Sequence, residues 1–544
     1  MTAATSAPVR HRPPRARGAV PLAAARLLRI ELRRNAMPWV LPLIAALFWF
    51  DSYRQSTGQP PFWILRTFGS MGQGRTIIDF GPFVAGVAAW MGSRDSRRGL
   101  GDLVTGTVRP RWAAQLATWA ATAIWAVGAY LVFVGVMFAA YARQGVQGTP
   151  PWWWVAVGAV AVTAFSAAGF TVGAYFPSRF AAPVAAFGVS LAMLGSTNGG
   201  RGHLSGWALL LPTNASGNYQ PISGIFYPYL PDLPIARMMF LAGIAVAAIG
   251  LLGLPAQAGS AWLRGAAAVV TIAGVAAAGT AVGLAGTARL TPHGMVIPAL
   301  HDAANDRPIP YTPVCTRAAG VPVCLNPAYR RYLAEVAADL RPVLAEVAGL
   351  PGAPARVAQV AGRYTSGQVE GEAASDTACL RNAAACGPAG LETSVPVTIS
   401  GRPPVLSLPL DEFNTLPSAT PRSVAQFDQE LPLLSVHAFV GAGNGPGTAA
   451  QQAVQAVLLQ HAGIPFAHEP GVLSIFGVPR WAGKDLQGLI PASETSIGPS
   501  SELGGPVYAA ARRLAALPAA ARHAWLAAHL AALRSGQLTL GQLP

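Results

Sequence analysis

The stretch Gly92–Trp112 reads GSRDSRRGLGDLVTGTVRPRW and separates two apolar segments, Ile77–Met91 and Ala113–Ala140. It contains five arginines and two aspartates. A basic loop between two membrane spans lies on the cytoplasmic side by the positive-inside rule. Leucine and valine recur in the loop at helical spacing, so we expect part of it to form a short helix at the membrane surface. A solvated loop that only sets topology would have the same charge pattern.

The composition indicates a membrane protein with a large part outside the membrane. Of 544 residues, 52% are hydrophobic and 11% are charged, and the mean hydropathy is +0.39, which is too apolar for a soluble protein. The formal charge of +15 lies in residues 1–289, which hold 22 arginines and 6 acids, whereas residues 290–544 have a balance of −1. Because the basic residues lie between apolar segments, they predict contact with membrane lipids and not with nucleic acid.

Seven apolar segments predict a polytopic α-helical membrane domain over residues 36–289. They are Ala36–Phe50, Ile77–Met91, Ala113–Ala140, Trp152–Phe176, Ala181–Leu194, Ile235–Leu254 and Gly265–Leu284. The first is short against the about 20 residues that a bilayer needs. Residues 1–35 combine an arginine-rich cytoplasmic tail with a segment, 21–35, in which leucines stand beside arginines. Such a segment predicts an interfacial elbow helix with its apolar side in the lipid.

The positions of the cysteines predict on which side of the membrane the C-terminal part lies. All four cysteines lie in the last part of the chain, as two pairs close in sequence, Cys315 with Cys324 and Cys379 with Cys386. Three connectivities are open and local pairing is the simplest, while a zinc site would need closer spacing. Since disulfides persist in oxidising compartments, this part is expected outside the cytoplasm.

Counting spans leads to the same arrangement. Seven spans that start inside place residues 290–544 outside, and the segments then predicted to be cytoplasmic hold 15 of the 22 arginines of the membrane half. We therefore predict a multi-pass cell-membrane protein with a cytoplasmic N-terminus and an extracytoplasmic C-terminal domain.

Residues 290–544 predict a small α+β domain. Helices are expected at Pro327–Val347, Gln451–His461, Val507–Leu517 and Ala519–Leu533, and strands at 355–363, 394–400 and 404–409. The sequence contains neither H-E-x-x-H nor G-x-S-x-G, the motifs of zinc peptidases and of serine hydrolases. We predict no catalytic, cofactor-binding or metal-binding residues.

The chain also lacks the motif of a nucleotide site. A P-loop requires a lysine followed by serine or threonine. The single lysine, Lys484, is followed by Asp485. Any ATP that drives this protein would therefore be bound by a separate chain.

Two ionisable residues, Asp79 and Arg237, lie inside predicted spans near their outer ends. An ionisable group within the membrane is a candidate functional residue by default. Arg75 lies one helical turn from Asp79, so a structural ion pair is the plainer interpretation there. A proton- or ion-coupled transporter would need such groups at the middle of the membrane.

The charged loop resembles the first cytoplasmic loop of type-2 ABC transporter permeases. The resemblance rests on the run Arg94-Asp95-x-Arg97-Arg98-Gly99-Leu100-x-Asp102-Leu103 and on the following Thr107-x-Arg109-x-Arg111. The elbow helix before the first span is a second resemblance. The chain departs from the family in having Asp95 where glutamate is usual, and in a Pro110 that comes two residues late.

The resemblance implies a function for this loop. In the family it carries a coupling helix that docks in a groove of a separate ATPase subunit, and two permease halves, identical or paralogous, assemble with two ATPases. The residues implied as coupling contacts are Arg94, Asp95, Arg97, Arg98, Gly99, Asp102, Arg109 and Arg111. Export as the direction of transport follows from the family alone.

Other functions remain open at this point. The spans could anchor an extracytoplasmic enzyme or sensor, including one built on a degenerate peptidase-like domain, although seven spans are more than an anchor needs. The substrate of a transporter with wide cavities between its spans leaves no readable motif.

Overall fold

The computed structural model describes most of the chain. The described residues are 19–53, 63, 75–97, 111–199, 209–210, 224–256, 261–291, 293–362, 397–410, 421–442, 447–463 and 504–544.

The first half of the chain is helical. Its helices are α1 (Ala19–Arg33), α2 (Met37–Leu47, continued by a π-helical turn Phe48–Tyr53), α3 (Arg75–Gly92), the short α4 (Arg94–Arg97), α5 (Arg111–Arg143), α6 (Trp152–Tyr175), α7 (Ala181–Gly199), α8 (Asp232–Ala256) and α9 (Ala261–Ala285). The amphipathic segment 21–35 therefore forms α1, as predicted.

Four helices are long and apolar enough to cross a membrane: Arg111–Arg143, Trp152–Tyr175, Asp232–Pro255 and Ala261–Ala285. The other three predicted spans correspond to shorter apolar stretches of the described chain, Met37–Phe50, Phe80–Gly92 and Ala181–Met193. Each of these stretches is 17 residues or fewer, and α2 and α3 each contain a proline. The structure thus shows a membrane protein with four candidate spans.

Small residues bring pairs of these helices into close contact. A Cβ at Gly169 or Gly173 of α6 would collide with the backbone of Ala85 or Ala89 on α3. Without a hydrophobic driving force between helices in lipid, such close backbone approach is what favours packing. The helices α3 and α6 therefore form a tightly packed pair.

The C-terminal domain, residues 290–544, contains a mixed sheet and a group of helices. After the hairpin β1 (Arg289–Thr291) and β2 (Gly294–Val296), the sheet strands are β3 (Val314–Ala318), β4 (Val321–Leu325), β5 (Arg356–Gln359), β6 (Thr398–Ser400) and β7 (Val405–Leu408). Their order is β3-β4-β5-β7-β6. Strands β4, β5 and β7 are parallel, and the edge strands β3 and β6 are antiparallel to their neighbours.

The helices of this domain pack on the sheet and on one another. They are α10 (Leu333–Glu346), α11 (Pro421–Val440), α12 (Ala449–His461), α13 (Gly504–Ala516) and α14 (Ala519–Arg534). One core lies between the sheet and α10, and a second lies among the helices around α12, which is buried from Ala450 to Leu459. The predicted α+β class is confirmed, and each predicted helix and strand overlaps an observed one. The predicted helix 327–347 begins with a 3₁₀ helix, Pro327–Tyr332, and the predicted strand 355–363 is shortened to Arg356–Gln359. Strands β1 to β4 and helix α11 were not predicted.

Candidate functional site

The predicted coupling residues fall in two groups. Arg94, Asp95 and Arg97 lie on α4, directly after α3, and Arg111 begins α5. The remaining four, Arg98, Gly99, Asp102 and Arg109, lie outside the described residues. The short surface helix that we expected rests on Leu100, Leu103 and Val104, which also lie outside the described residues. The single turn α4 comes before them in the chain.

Arg97 fastens α4 to the end of α3. Its Nη2 donates a hydrogen bond of 2.9 Å to the carbonyl of Trp90, its Nε donates one of 3.1 Å to Ser93 Oγ, and its guanidinium carbon lies 3.4 Å from the centre of the Trp90 ring. The last carbonyls of a helix lack partners within the helix, and a cation is favoured there by the helix dipole. The Arg97 side chain supplies a hydrogen-bond donor to the Trp90 carbonyl and a positive charge at the end of α3. It also makes a cation–π contact with the Trp90 ring.

Arg94 connects α4 to α1. Its Nη2 lies 3.0 Å from Oε1 of Glu31, and the two side chains are 17% and 11% exposed. Asp95 Oδ1 lies 3.4 Å from Arg94 Nε. Burial lowers the pKa of Arg94, but the hydrogen bond and charge of Glu31, with a smaller effect of Asp95, outweigh burial and raise the pKa above its ordinary value. Arg94 therefore acts as a permanent cation paired inward.

Helix α1 is in turn attached to α5. Asn35 Nδ2 donates a hydrogen bond of 2.9 Å to Thr122 Oγ1, and the indole of Trp125 donates one of 2.9 Å to the carbonyl of Leu32. The Oδ1 of Asn35 accepts a hydrogen bond of 2.9 Å from the backbone N–H of Met37, the first residue of α2. Contacts thus connect α4 to α1, and the end of α1 to α2 and α5.

Exposed arginines surround this junction. Arg26, Arg29 and Arg33 on α1 and Arg34 directly after it are exposed, and Trp39 is 86% exposed. Exposed arginines and an exposed tryptophan that lie close in the chain are typical of the membrane interface. The junction of α1, α3, α4 and α5 therefore has the features of a membrane-surface site.

Of the two ionisable residues predicted to lie within the membrane, Asp79 and Arg237, the structure describes the side chain of Arg237. Asp79 lies on α3, but its side chain is outside the described part. Arg237 on α8 is 1% exposed, its Nε donates a hydrogen bond of 2.8 Å to the carbonyl of Leu209, and its guanidinium lies 5.6 Å from the Trp154 ring. These contacts give Arg237 a structural role, joining α8 to residues 209–210 and to α6.

One predicted disulfide is present. Cys315 and Cys324 are bonded and face each other in the register of β3 and β4. The bond closes the hairpin at one edge of the sheet. The other predicted pair, Cys379 and Cys386, lies outside the described residues.

Three buried glutamines of α12 were not singled out from the sequence. Gln451, Gln452 and Gln455 have the i, i+1, i+4 spacing of H-E-x-x-H. Gln451 Nε2 donates to the carbonyls of Val440 and Leu533, and Gln455 Nε2 donates to that of Leu433. These amides fix α12 to α11 and α14. Among the described residues, no group of three or more His, Cys, Asp or Glu could hold a metal ion.

Comparison with family models, with curated proteins and with solved structures finds no match.

Proposed function

We propose that this chain is the membrane-spanning permease subunit of an ATP-driven ABC transporter, and by its family resemblance an exporter. In this proposal seven segments span the membrane, the N-terminus is cytoplasmic and the C-terminal domain is extracytoplasmic. ATP is bound by a separate ATPase subunit. A second copy of the chain, or a paralogue, completes the transporter.

The observation that carries the proposal is the junction between α4 and α1. A loop that only sets topology needs charge but no fixed partners. Here Arg94 is paired with Glu31 on α1, and Arg97 is held by Trp90 and Ser93 at the end of α3. A loop on which a motor pushes must be joined firmly to the helices that move, and these contacts supply that connection.

The mechanism follows from this connection. ATP-driven closure of two ATPase subunits would displace the loop 92–112. The displacement would pass to α3 through Arg97 and to α1 through the Arg94–Glu31 pair, and then to α5 through Asn35 and Thr122. Allosteric coupling needs contacts that differ between two states, and the pairs at this junction are the candidates.

The disulfide supports the proposed orientation. Cys315 and Cys324 are joined in the C-terminal domain, and disulfides persist outside the cytoplasm. The basic helix α1 and the basic loop belong to the opposite side by the positive-inside rule.

The test is purification of the full chain from its native membrane in mild detergent, followed by identification of the proteins that come with it. We expect a soluble P-loop ATPase to co-purify, and R98E/R109E to release it, because charge reversal opposes docking. Arg97 is left unchanged because it holds α4 to α3. The matched control is R330E/R331E, an adjacent pair of exposed arginines in the C-terminal domain. If no ATPase accompanies the wild-type chain, the permease proposal fails and an extracytoplasmic enzyme or sensor becomes the better hypothesis.

A further inference from the structure

The end of α8 nearest the C-terminal domain carries a buried acid. Asp232, in the first turn of α8, is 0% exposed. Its Oδ2 accepts a hydrogen bond of 2.9 Å from the backbone N–H of Ile297, which follows β2. The same oxygen lies 3.1 Å from His301 Nδ1. A single carboxylate oxygen therefore holds two points of the C-terminal domain to α8.

His301 lies between two carboxylates. Its Nδ1 faces Asp232, and its Nε2 lies 3.0 Å from Asp306 Oδ2. An ionised carboxylate only accepts hydrogen bonds, and a neutral imidazole has a single N–H to donate. Both contacts are hydrogen bonds at the same time only when the ring is the imidazolium cation. We call the three residues Asp232, His301 and Asp306 the His301 bridge.

A second set of contacts, made by Ile225 and Phe226, holds the same end of α8 without His301. Residues 224–230 precede α8 and enter the C-terminal domain, where Ile225 and Phe226 belong to the core between the sheet and α10. The backbone N–H of Ile309 donates a hydrogen bond of 2.7 Å to the carbonyl of Phe226. These contacts hold the C-terminal domain to the start of α8. The His301 bridge therefore changes the strength of an interface that also has other contacts.

We propose that the His301 bridge is a proton-operated latch that fastens the C-terminal domain to α8 when His301 is protonated and loosens when His301 is neutral. Loss of the proton removes one of the two hydrogen bonds to the carboxylates, and it removes the charge that pairs His301 with the buried Asp232, so the contact with α8 weakens in either tautomer. Because Ile297 and His301 share the same oxygen of Asp232, the loosening reaches the chain between β2 and the 3₁₀ turn Ala303–Asp306. The latch does not depend on the chain being a permease.

The charges around the ring set the pH window. The hydrogen bond with Asp306 raises the pKa of His301, burial lowers it, and the charge of Asp232 adds to the increase, so the pKa lies above its ordinary 6.5. Asp302, on the same 3₁₀ segment, caps it by accepting the N–H of Ala304. A pKa raised by folding gives stabilisation that is complete below the unfolded value and is lost as pH rises through the folded value. The latch is therefore closed in acid and opens on the alkaline side of 6.5.

The experiment uses the full chain in lipid nanodiscs over about pH 5 to about pH 9. Exchange of the imidazole C2 hydrogen, followed by mass spectrometry, measures the titration of each histidine. Backbone hydrogen exchange of the peptide that contains Ile297 measures how often the Ile297 N–H leaves its hydrogen bond with Asp232. We expect His301 to titrate above 6.5, and the corrected exchange rate at Ile297 to rise about tenfold for each unit of that increase.

Two variants and a control complete the test. D306N removes a half-exposed partner, and we expect it to lower the titration midpoint of His301 and to weaken the pH dependence at Ile297. H301Q should abolish that dependence, while H523Q, on α14, should leave it unchanged. A wild-type His301 that titrates at or below 6.5, or an Ile297 exchange rate that changes with pH equally in H301Q, would overturn the latch.

Discussion

Arg94 and Glu31 are 63 positions apart in the chain, yet their side chains meet at 3.0 Å. Both are largely buried, so R94M leaves Glu31 without its cation, and E31M leaves Arg94 with only the more exposed Asp95. We expect E31M and R94M each to lower the free energy of unfolding by about 1–3 kcal/mol. The double variant E31M/R94M should lose less than the sum, with a coupling of about 0.5–3 kcal/mol. Denaturant unfolding in mixed micelles measures these values.

The control for this pair is R34M, which removes an exposed arginine of the same helix region and should change the free energy of unfolding by about 0.5 kcal/mol or less. Additive losses in E31M/R94M would show that the two residues do not interact. If the chain is the permease that we propose, R94M should still bind the ATPase but uncouple its activity from the permease, because Arg94 is paired inward with Glu31.

The sequence could identify Arg94 as a candidate residue but could not identify its partner. The charge pattern of the loop and its place between two apolar segments single out Arg94. Glu31 is one acid among arginines in α1, and nothing in its spacing indicates that it faces the loop. Contacts between distant segments depend on how the helices pack, and the hydrophobic periodicity of one segment does not show which other segment it packs against.

Helices α3 and α6 are held together by glycines of α6. Gly173 of α6 lies against the backbone of Ala89, so G173A would force the two helices apart. We expect a loss of about 1–3 kcal/mol in the free energy of unfolding, measured in the same micelles. The matched control is G188A on α7, where an added Cβ has nothing within 4 Å, and which should be neutral or slightly stabilising because alanine favours helix. Equal effects of the two variants would contradict the packing argument.

The hairpin of β3 and β4 is closed by the disulfide Cys315–Cys324, which spans a separation of 9 residues. A loop of that size is stabilised by about 2–3 kcal/mol in the chain-entropy account. We expect C315S/C324S to lower the free energy of unfolding of the C-terminal domain by that amount, as followed by hydrogen exchange in the full chain. No change on losing both cysteines would mean that the sheet edge is ordered without the bond.

Length and apolar character decided which elements could be predicted. Helices α5, α6, α8 and α9 are long and uniformly apolar, so the sequence identifies them at once. The hairpin β1–β2 has strands of three residues, too short to show alternation, and β4 contains Pro322, which argues against a strand. Helix α11 contains Pro432, which reads as a helix breaker.

The proposed topology applies to the whole molecule and can be tested with single introduced cysteines. R33C on α1 and Q537C near the end of the chain are both exposed positions. In intact cells, a membrane-impermeant maleimide should label Q537C and not R33C, and both should react after the membrane is permeabilised. The chain without an introduced cysteine is the control. Labelling of both variants in intact cells, or of R33C alone, would reject the proposed orientation.

Residues 224–230 come before α8 in the chain, yet they complete a core whose other members come after α9. Synthesis therefore produces one piece of this core early and must wait until two further helices have been made before the rest arrives. During that interval the rest of the core has not been synthesised, so Ile225 and Phe226 are exposed and accessible to a chaperone at the membrane. The C-terminal domain should consequently mature only after α8 and α9 are in place, so a fragment that starts at residue 290 would lack part of its own interior.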